Sequence, residues 1–275
     1  MRNTLRITTA ALVTGALALG LTACGGDDKA NSDPNSPLVV AATPVPHAEI
    51  LNFVKDELAD KAGLELDVRE FTEYNTPNRA TEDGSVGANY FQTQAFLDDF
   101  NKKEGTHIVP VVTVHLEPLG LYSDKAEKAA DLPKGGTIAI PSDAVNEARA
   151  LNLLAANKLI ELKPGAGQGA TPKDITKNPH GFTFKELEAP QVARSLKDVD
   201  GAVINGNYAI EADLKPAEDA LVLESVKNNP NGNFLAVKKG NENDPRVKKL
   251  AKLLTSPEVK KFIEDKYAGS VLSVV

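Results

Sequence analysis

Short apolar runs alternate with amphipathic segments along the chain from residue 38 onward. Leu38 to Ala42 is a continuous apolar run that predicts a buried strand. Residues 48–61 place apolar side chains at helical spacing until Gly63 ends the pattern, and 64–71 alternates as a strand does. The same patterns predict further strands over 108–115, 137–140 and 201–204, and further helices over 93–103, over 144–157 and from Pro257 onward. Strands that alternate with helices predict an α/β fold with mostly parallel sheets.

The first 23 residues have a different pattern. Arg2 and Arg6 precede an apolar run, and small residues then lead to Cys24, the only cysteine. This layout predicts a secretory signal, because the run is too short for a stable membrane span. The segment Leu-Thr-Ala-Cys resembles a bacterial lipobox, whereas a plain signal peptide followed by a free or buried thiol is the alternative. We therefore expect a signal peptide over 1–23 and lipidation of Cys24 on the extracytoplasmic face of the cell membrane.

Composition limits what the remaining chain can be. Between Cys24 and Leu38 the sequence contains no large apolar residue. Residues 24–37 are therefore predicted to form a flexible tether. The roughly 250 residues after Cys24 suffice for one large domain or two lobes. The net charge is −7, and removal of the two signal arginines makes it about −9. Such a charge disfavours nucleic acid as a partner.

No enzyme or cofactor motif is visible. A single cysteine excludes thiolate metal clusters, and the four histidines lack a ligand spacing such as HExxH. There is no GxSxG motif, and the glycines of 165–171 do not stand between a strand and a helix as a phosphate loop requires. We therefore expect no catalytic residue, no metal and no cofactor.

The predicted strand–helix junction before residue 144 is the first candidate site. Asp143 is a plausible N-cap, and Asn146 and Arg149 follow three residues apart on one helical face. Free backbone N–H groups and a guanidinium at a helix start suit a small carboxylate or phosphate. The alternative is a solvated surface arginine beside Glu147.

Two further groups of residues carry candidate chemistry. Aromatic side chains cluster at Tyr74 and within 88–97, where they could line an apolar pocket, although Phe96 and Leu97 fit ordinary core packing. Polar side chains follow the strand 201–204, beginning with Asn205, and polar groups at strand ends stand at the binding crevice of an α/β sheet. Asn233 precedes another apolar strand, and turn chemistry alone would also explain it. Together these groups suit a small zwitterion.

At these residues the chain resembles the NlpA family, the methionine-binding lipoproteins that serve ABC importers. The resemblance covers the chain from about Leu38 to the C-terminus. Its landmarks, in order, are ATPVPHAEIL (42–51), YNTPN (74–78), ANYFQ (88–92), HLEPLGLYS (115–123), NEARAL (146–151), ELEAPQ (186–191) and VINGNYA (203–209).

The resemblance implies a bilobal, periplasmic-binding-protein-like fold of type II. Two α/β lobes, 38–118 with 236–275 and 119–235, would be joined by crossover strands near 117–123 and 233–237. The partners it implies are a small amino-acid ligand, a membrane reached through the lipid anchor, and an ABC permease with its ATPase. We expect a monomer.

Site roles follow from the same resemblance. Arg149 would clamp the ligand carboxylate, and Asn205 and Asn233 would fix its amino and carboxylate groups, with Asn146 assisting. Tyr74 and Phe91 would line the side-chain pocket.

Two positions depart from the family pattern. Thr93 stands where the family commonly has histidine after Phe-Gln, and Asn231 stands where many relatives have tyrosine. Another apolar amino acid, a methionine derivative or a Met-containing dipeptide therefore remains an alternative ligand. A surface protein without a transport role and an extracytoplasmic hydrolase on the same scaffold are the alternatives from other functional classes.

Thr93→His tests the first departure. If Thr93 shortens the end of the side-chain pocket, restoring the larger histidine should increase affinity for methionine, as measured by titration calorimetry. Unchanged affinity would count against this reading of Thr93.

Overall fold

The computed structural model describes residues 36–275. The signal peptide, Cys24 and the tether up to residue 35 lie outside the described residues, so these assignments stay predictions. No helix in the described part of the chain has the length and apolar content that a membrane crossing needs.

The described chain alternates between strands and helices. The strands are β1 (Leu38–Ala42), β2 (Leu66–Glu70), β3 (Ala88–Gln92), β4 (Ile108–Leu116), β5 (Gly120–Tyr122), β6 (Thr137–Pro141), β7 (Glu161–Leu162), β8 (Ile175–Lys177), β9 (Thr183–Leu187), β10 (Gly201–Ile204), β11 (Val222–Leu223), β12 (Gly232–Lys238) and β13 (Leu272–Ser273). The helices are α1 (Glu49–Val54), α2 (Asn75–Glu82), α3 (Gln94–Glu104), α4 (Ala144–Ala156), α5 (Ala189–Arg194), α6 (Gly206–Glu211), α7 (Pro216–Asp219), α8 (Pro245–Leu254) and α9 (Pro257–Tyr267).

Most predicted elements are confirmed, with small shifts at their ends. The predicted helix over 48–61 consists of α1 followed by irregular helical turns, Lys55–Ala59 and Asp60–Ala62. It ends at Gly63, whose φ of +60° is the left-handed conformation that favours glycine. Ser256 caps α9 by accepting the Val259 N–H at 3.3 Å.

The first sheet has the strand order β13-β4-β12-β3-β1-β2. Strands β2, β1 and β3 pair in parallel, whereas β12 is antiparallel to both β3 and β4. One core packs α1, α8 and α9 against this sheet through fully buried residues such as Leu51, Leu250 and Ile263.

The second sheet has the order β11-β5-β10-β6-β9. Strands β10, β6 and β9 are parallel, and β5 is antiparallel to both of its neighbours. Separate apolar clusters cover its faces, one around Leu151 and one around Val192. The expectation of mostly parallel sheets is therefore wrong. The reason is that β5 and β12, the first strands after the two crossings between the sheets, run against their neighbours, and the C-terminal β13 runs against β4.

The chain crosses between the sheets twice. It leaves β4 at Leu116 and enters β5 at Gly120, and it returns between Leu223 of β11 and Gly232 of β12. Residues 233–237, expected near the second crossing, lie inside β12 of the first sheet. The result is a two-lobed, periplasmic-binding-protein-like α/β fold, while the lobe boundaries 38–118 with 236–275 and 119–235 stay a prediction.

Candidate functional site

A cavity lies where the two sheets face each other. All seven residues that the sequence singled out for ligand binding line it: Tyr74, Phe91, Thr93, Asn146, Arg149, Asn205 and Asn233. Gln92, Phe96, Glu117, Gly206 and Asn207 complete the lining. That the seven residues bind a ligand stays a prediction.

Strand direction explains why these residues meet. Thr93, Glu117 and Asn205 each come directly after a strand, β3, β4 and β10 respectively. Asn233 lies at the start of β12, but β12 is antiparallel to β4, and Asn233 is paired with His115 near the end of β4. Residues distant in sequence are therefore gathered at one edge of each sheet.

The start of α4 is built around Asp143. Its carboxylate accepts the Asn146 backbone N–H at 2.9 Å and the Asn146 side-chain amide at 3.0 Å. The Asn146 Oδ1 atom then accepts from Arg149 Nη1 at 3.2 Å and from Asn205 Nδ2 at 2.9 Å. Asn146 therefore orients two cavity residues, and its own amide is already hydrogen-bonded.

Arg149 is held by an ion pair with Glu224. Its Nη2 donates to Glu224 Oε2 at 2.7 Å and its Nε donates to Glu224 Oε1 at 3.3 Å. Only 13% of the Arg149 side chain is exposed, so the alternative of a solvated surface arginine is wrong. Burial would raise the pKa of Glu224, but the adjacent Arg149 charge and hydrogen bonds outweigh it and lower the pKa. Two of the five guanidinium N–H groups remain for a ligand among the described residues.

Two amide atoms in the cavity have no hydrogen-bond partner among residues 36–275. Asn205 donates its NH2 to Asn146, which leaves its buried Oδ1 as an unused acceptor. Asn207 accepts the Tyr74 hydroxyl at 2.6 Å through Oδ1, which leaves its buried Nδ2 as an unused donor. Unpaired buried polar atoms are costly. These two atoms are therefore available to hydrogen-bond a polar ligand.

Aromatic rings form the apolar part of the lining. Tyr74 lies 5.9 Å from Phe91, 5.6 Å from Phe96 and 5.1 Å from Tyr208, measured between ring centroids. The sequence assigned Phe96 to ordinary core packing, but Phe96 lines the cavity. Thr93 occupies the N-cap position of α3 and is 8% exposed.

A buried amide network supports this aromatic wall. Gln92 and Asn78 exchange side-chain hydrogen bonds at 2.8 and 2.7 Å, and Asn89 donates to Thr81 at 2.7 Å. These hydrogen bonds fix α2 against β3. Tyr74, which precedes α2, and Thr93, which follows β3, are therefore held in position.

Glu117 is the main residue that the sequence reasoning missed. It is 7% exposed, and its Oε1 lies 2.7 Å from His115 Nε2 and 3.1 Å from His47 Nε2. The ligand atoms of these three residues lie within 4.8 Å of one another, a spacing that could hold a metal ion. Two of the four histidines, His47 and His115, are therefore neighbours in the fold although their spacing in the sequence fits no ligand motif. The signal that could have identified Glu117 is its place directly after β4, the same rule that found Asn205.

A second, more open cleft of about 830 Å³ adjoins the cavity. Arg149 belongs to the lining of both, and Glu224 and Asn231 also line the cleft. Asn231 donates to Glu224 Oε1 at 3.1 Å, so it supports the carboxylate that holds Arg149.

Comparison with known proteins places this geometry among binding proteins. The model of the NlpA lipoprotein family matches residues 38–275. The methionine-binding lipoprotein MetQ of Bacillus subtilis is 40% identical, with 92% of this chain and 93% of MetQ covered. A nutrient binding protein from Burkholderia cenocepacia bound to methionine superposes with a TM-score of 0.84 at 41% identity, covering 86% of this chain and all of that one. A periplasmic substrate-binding protein of an ABC transporter from Coxiella burnetii gives a TM-score of 0.82 at 40% identity, with 86% and 99% covered.

Glu147, in the first turn of α4, should make stability depend on pH. Burial, with Glu186 and Asp143 nearby, raises its pKa from 4.5 to about 7. The folded state then binds the proton more tightly, so this contribution is complete below about pH 4.5 and is lost as the pH rises through about 7. The thermal midpoint of Glu147→Gln relative to the natural chain should therefore increase between these pH values. Glu258→Gln, an exposed position in the first turn of α9, is the matched control, and parallel pH profiles for Glu147→Gln and the natural chain would contradict the prediction.

Proposed function

This chain belongs to the NlpA lipoprotein family, and on that premise we propose that it is the substrate-binding lipoprotein of an ABC importer and captures methionine or a closely related amino acid. Cys24 carries the lipid that anchors it to the extracytoplasmic face of the membrane. It acts as a monomer and delivers its ligand to a permease driven by an ATPase. It binds without turnover.

The observation that carries this proposal is the pair of unpaired amide atoms beside Arg149. The remaining guanidinium N–H groups and Asn207 Nδ2 are donors for a ligand carboxylate, whereas Asn205 Oδ1 is an acceptor for an ammonium group. Asn233 accepts from His47 at 3.2 Å through Oδ1, which leaves its NH2 group to face the carboxylate. Donors and acceptors lining one cavity suit an amino acid.

The apolar lining receives the ligand side chain. Tyr74, Phe91 and Phe96 supply aromatic surface, and Thr93 sits at the start of α3 beside them. A thioether is apolar and packs well against aromatic rings. This chemistry supports methionine among the amino acids that the polar groups would accept.

Transport follows from closure of the two lobes. The ligand bridges residues of both sheets, Phe91 from the first and Arg149 and Asn205 from the second, so it binds the closed form better than the open form. Only this difference in affinity can shift the equilibrium toward closure. The closed lobes then present one continuous surface that the permease can recognise.

A dipeptide that contains methionine is the second candidate. The open cleft meets the cavity at Arg149, so a second residue of the ligand would find about 830 Å³ of space there. Binding it would require Arg149 to exchange Glu224 for the ligand.

A thermal-shift panel tests the proposal. The non-lipidated variant Cys24→Ser is unfolded and refolded to remove bound ligand, and then tested with L- and D-methionine, methionine sulfoxide, Gly-Met, other apolar amino acids and acidic controls. A saturating ligand of the native state should raise the thermal midpoint by several degrees. A shift with Gly-Met alone would select the dipeptide. A flat panel from folded protein would reject transport of these solutes and favour a surface lipoprotein without a transport role.

Arg149→Ala should weaken methionine binding by at least about 100-fold, because removing one partner of a buried charge pair costs about 3–5 kcal/mol. Titration calorimetry measures the loss. The double variant Arg149→Ala/Glu224→Gln removes the carboxylate left without its partner, so a loss that persists there belongs to the ligand contact. Arg194→Ala, on the exposed surface of α5, is the control. Near-normal affinity in the double variant would remove Arg149 from the site.

A further inference from the structure

We infer that Glu117, held by His47 and His115, is the counter-ion for a primary ammonium group of the ligand, so the site accepts only molecules with a free amino group. This inference rests on the proposed function and extends it to the substrate class. Glu117 lies on the crossing between the sheets and lines the cavity together with Asn205.

The packing around Glu117 leaves its carboxylate little freedom. Gly206, at the start of α6, lies so close that an added Cβ would come within 2.9 Å of the Glu117 Cβ and 3.2 Å of Oε2. Glycine is therefore required there for the second lobe to approach the carboxylate.

Two side-chain donors hold the carboxylate. His115 Nε2 lies 2.7 Å from Oε1, and His47 Nε2 lies 3.1 Å from the same atom. An ionised carboxylate has about four acceptor positions. Both histidines are placed at Oε1, which leaves acceptor capacity on Oε2 for the cavity.

The donors bring no positive charge. Because an ionised carboxylate only accepts, both Nε2 atoms carry hydrogen, and the Nδ1 atoms accept from the Thr43 hydroxyl at 2.6 Å and from the Tyr90 hydroxyl. Burial lowers the pKa of His47 to about 4, although the Glu117 charge opposes it, and burial lowers the pKa of His115 to about 3. Both imidazoles are therefore neutral near pH 7.

No lysine or arginine within residues 36–275 forms an ion pair with Glu117. The nearest influential cation, Arg149, is hydrogen-bonded to Glu224. Burial accordingly raises the pKa of Glu117, opposed by the charges of His47 and Arg149 and by the Asn207 N–H. A buried carboxylate with hydrogen-bond donors but no counter-ion is costly, and a cationic ligand group relieves that cost.

An ammonium group suits the Glu117 carboxylate, which lacks a counter-ion among the described residues, better than a metal ion does. A metal would need the Nε2 lone pairs, but with Glu117 ionised both Nε2 atoms carry hydrogen and donate to it, and both Nδ1 atoms are hydrogen-bonded to hydroxyl groups. An ammonium group needs only acceptors, and Asn205 Oδ1 supplies an unused one in the same cavity.

The test compares two ligands on two proteins, with EDTA present throughout. L-methionine is measured against 4-methylsulfanylbutanoate, which keeps the carboxylate and the thioether but has no amino group. The natural site should prefer methionine by at least about 100-fold. Glu117→Gln, which keeps the shape and removes the charge, should weaken methionine by about 100-fold and change the affinity for the deaminated analogue only a few-fold. Glu127→Gln, at an exposed position, is the control.

Several outcomes would overturn the inference. Equal affinity of the natural protein for the two ligands would do so without any variant, whether or not Glu117→Gln folds. Equal losses for both ligands in Glu117→Gln would assign the residue a structural role, and full discrimination retained there would place the ammonium contact elsewhere. These results leave the proposed function standing. Absence of binding by any amino acid to the natural protein would overturn the proposed function and this inference together.

Discussion

The polar side chains enclosed between the two sheets must find hydrogen-bond partners, and this requirement organises the whole binding region. From Asp143 a chain of hydrogen bonds runs through Asn146 to Arg149 and on to Glu224. It links the start of α4 with the crossing between β11 and β12, two regions far apart in sequence. Breaking a buried ion pair costs more free energy than breaking an exposed one. This series of hydrogen bonds therefore holds Arg149 in one position.

A second set of hydrogen bonds fixes the other end of the cavity. His47 and His115 hold Glu117, while hydroxyl groups of Thr43 and Tyr90 orient the two imidazoles. The cavity lining therefore includes a guanidinium group at Arg149 and a carboxyl group at Glu117. Preorganisation of this kind lowers the cost of ordering side chains on binding.

Topology places both networks. The chain crosses between the sheets at 117–119 and 224–231, and each crossing contributes one carboxylate, Glu117 and Glu224. Because β12 runs antiparallel to β4, its first residues lie beside the last residues of β4. A purely parallel sheet would have placed Asn233 at the opposite edge, away from the cavity.

The α/β class and most element positions followed from the sequence, because apolar periodicity reflects which face of each element is buried. So did two site candidates: Arg149, because a helix start with a guanidinium suits an anion, and Asn205, because polar residues directly after apolar strands lie at a predictable edge of a sheet. The family resemblance gave roles to Tyr74, Phe91 and Asn233 and drew attention to Thr93, and all four lie at the cavity.

Other features were decided only by tertiary structure. Periodicity contains no information about which strands pair, so the antiparallel pairings in each sheet and the true position of the second crossing were not visible in it. The same limit applies to Glu117, His47 and His115: their sequence positions fit no ligand motif, and only the register of β4 and the turn after β1 bring them together. Pattern along the chain determined the elements and their exposed ends, whereas the pairing of buried charges depended on contacts between residues far apart in sequence.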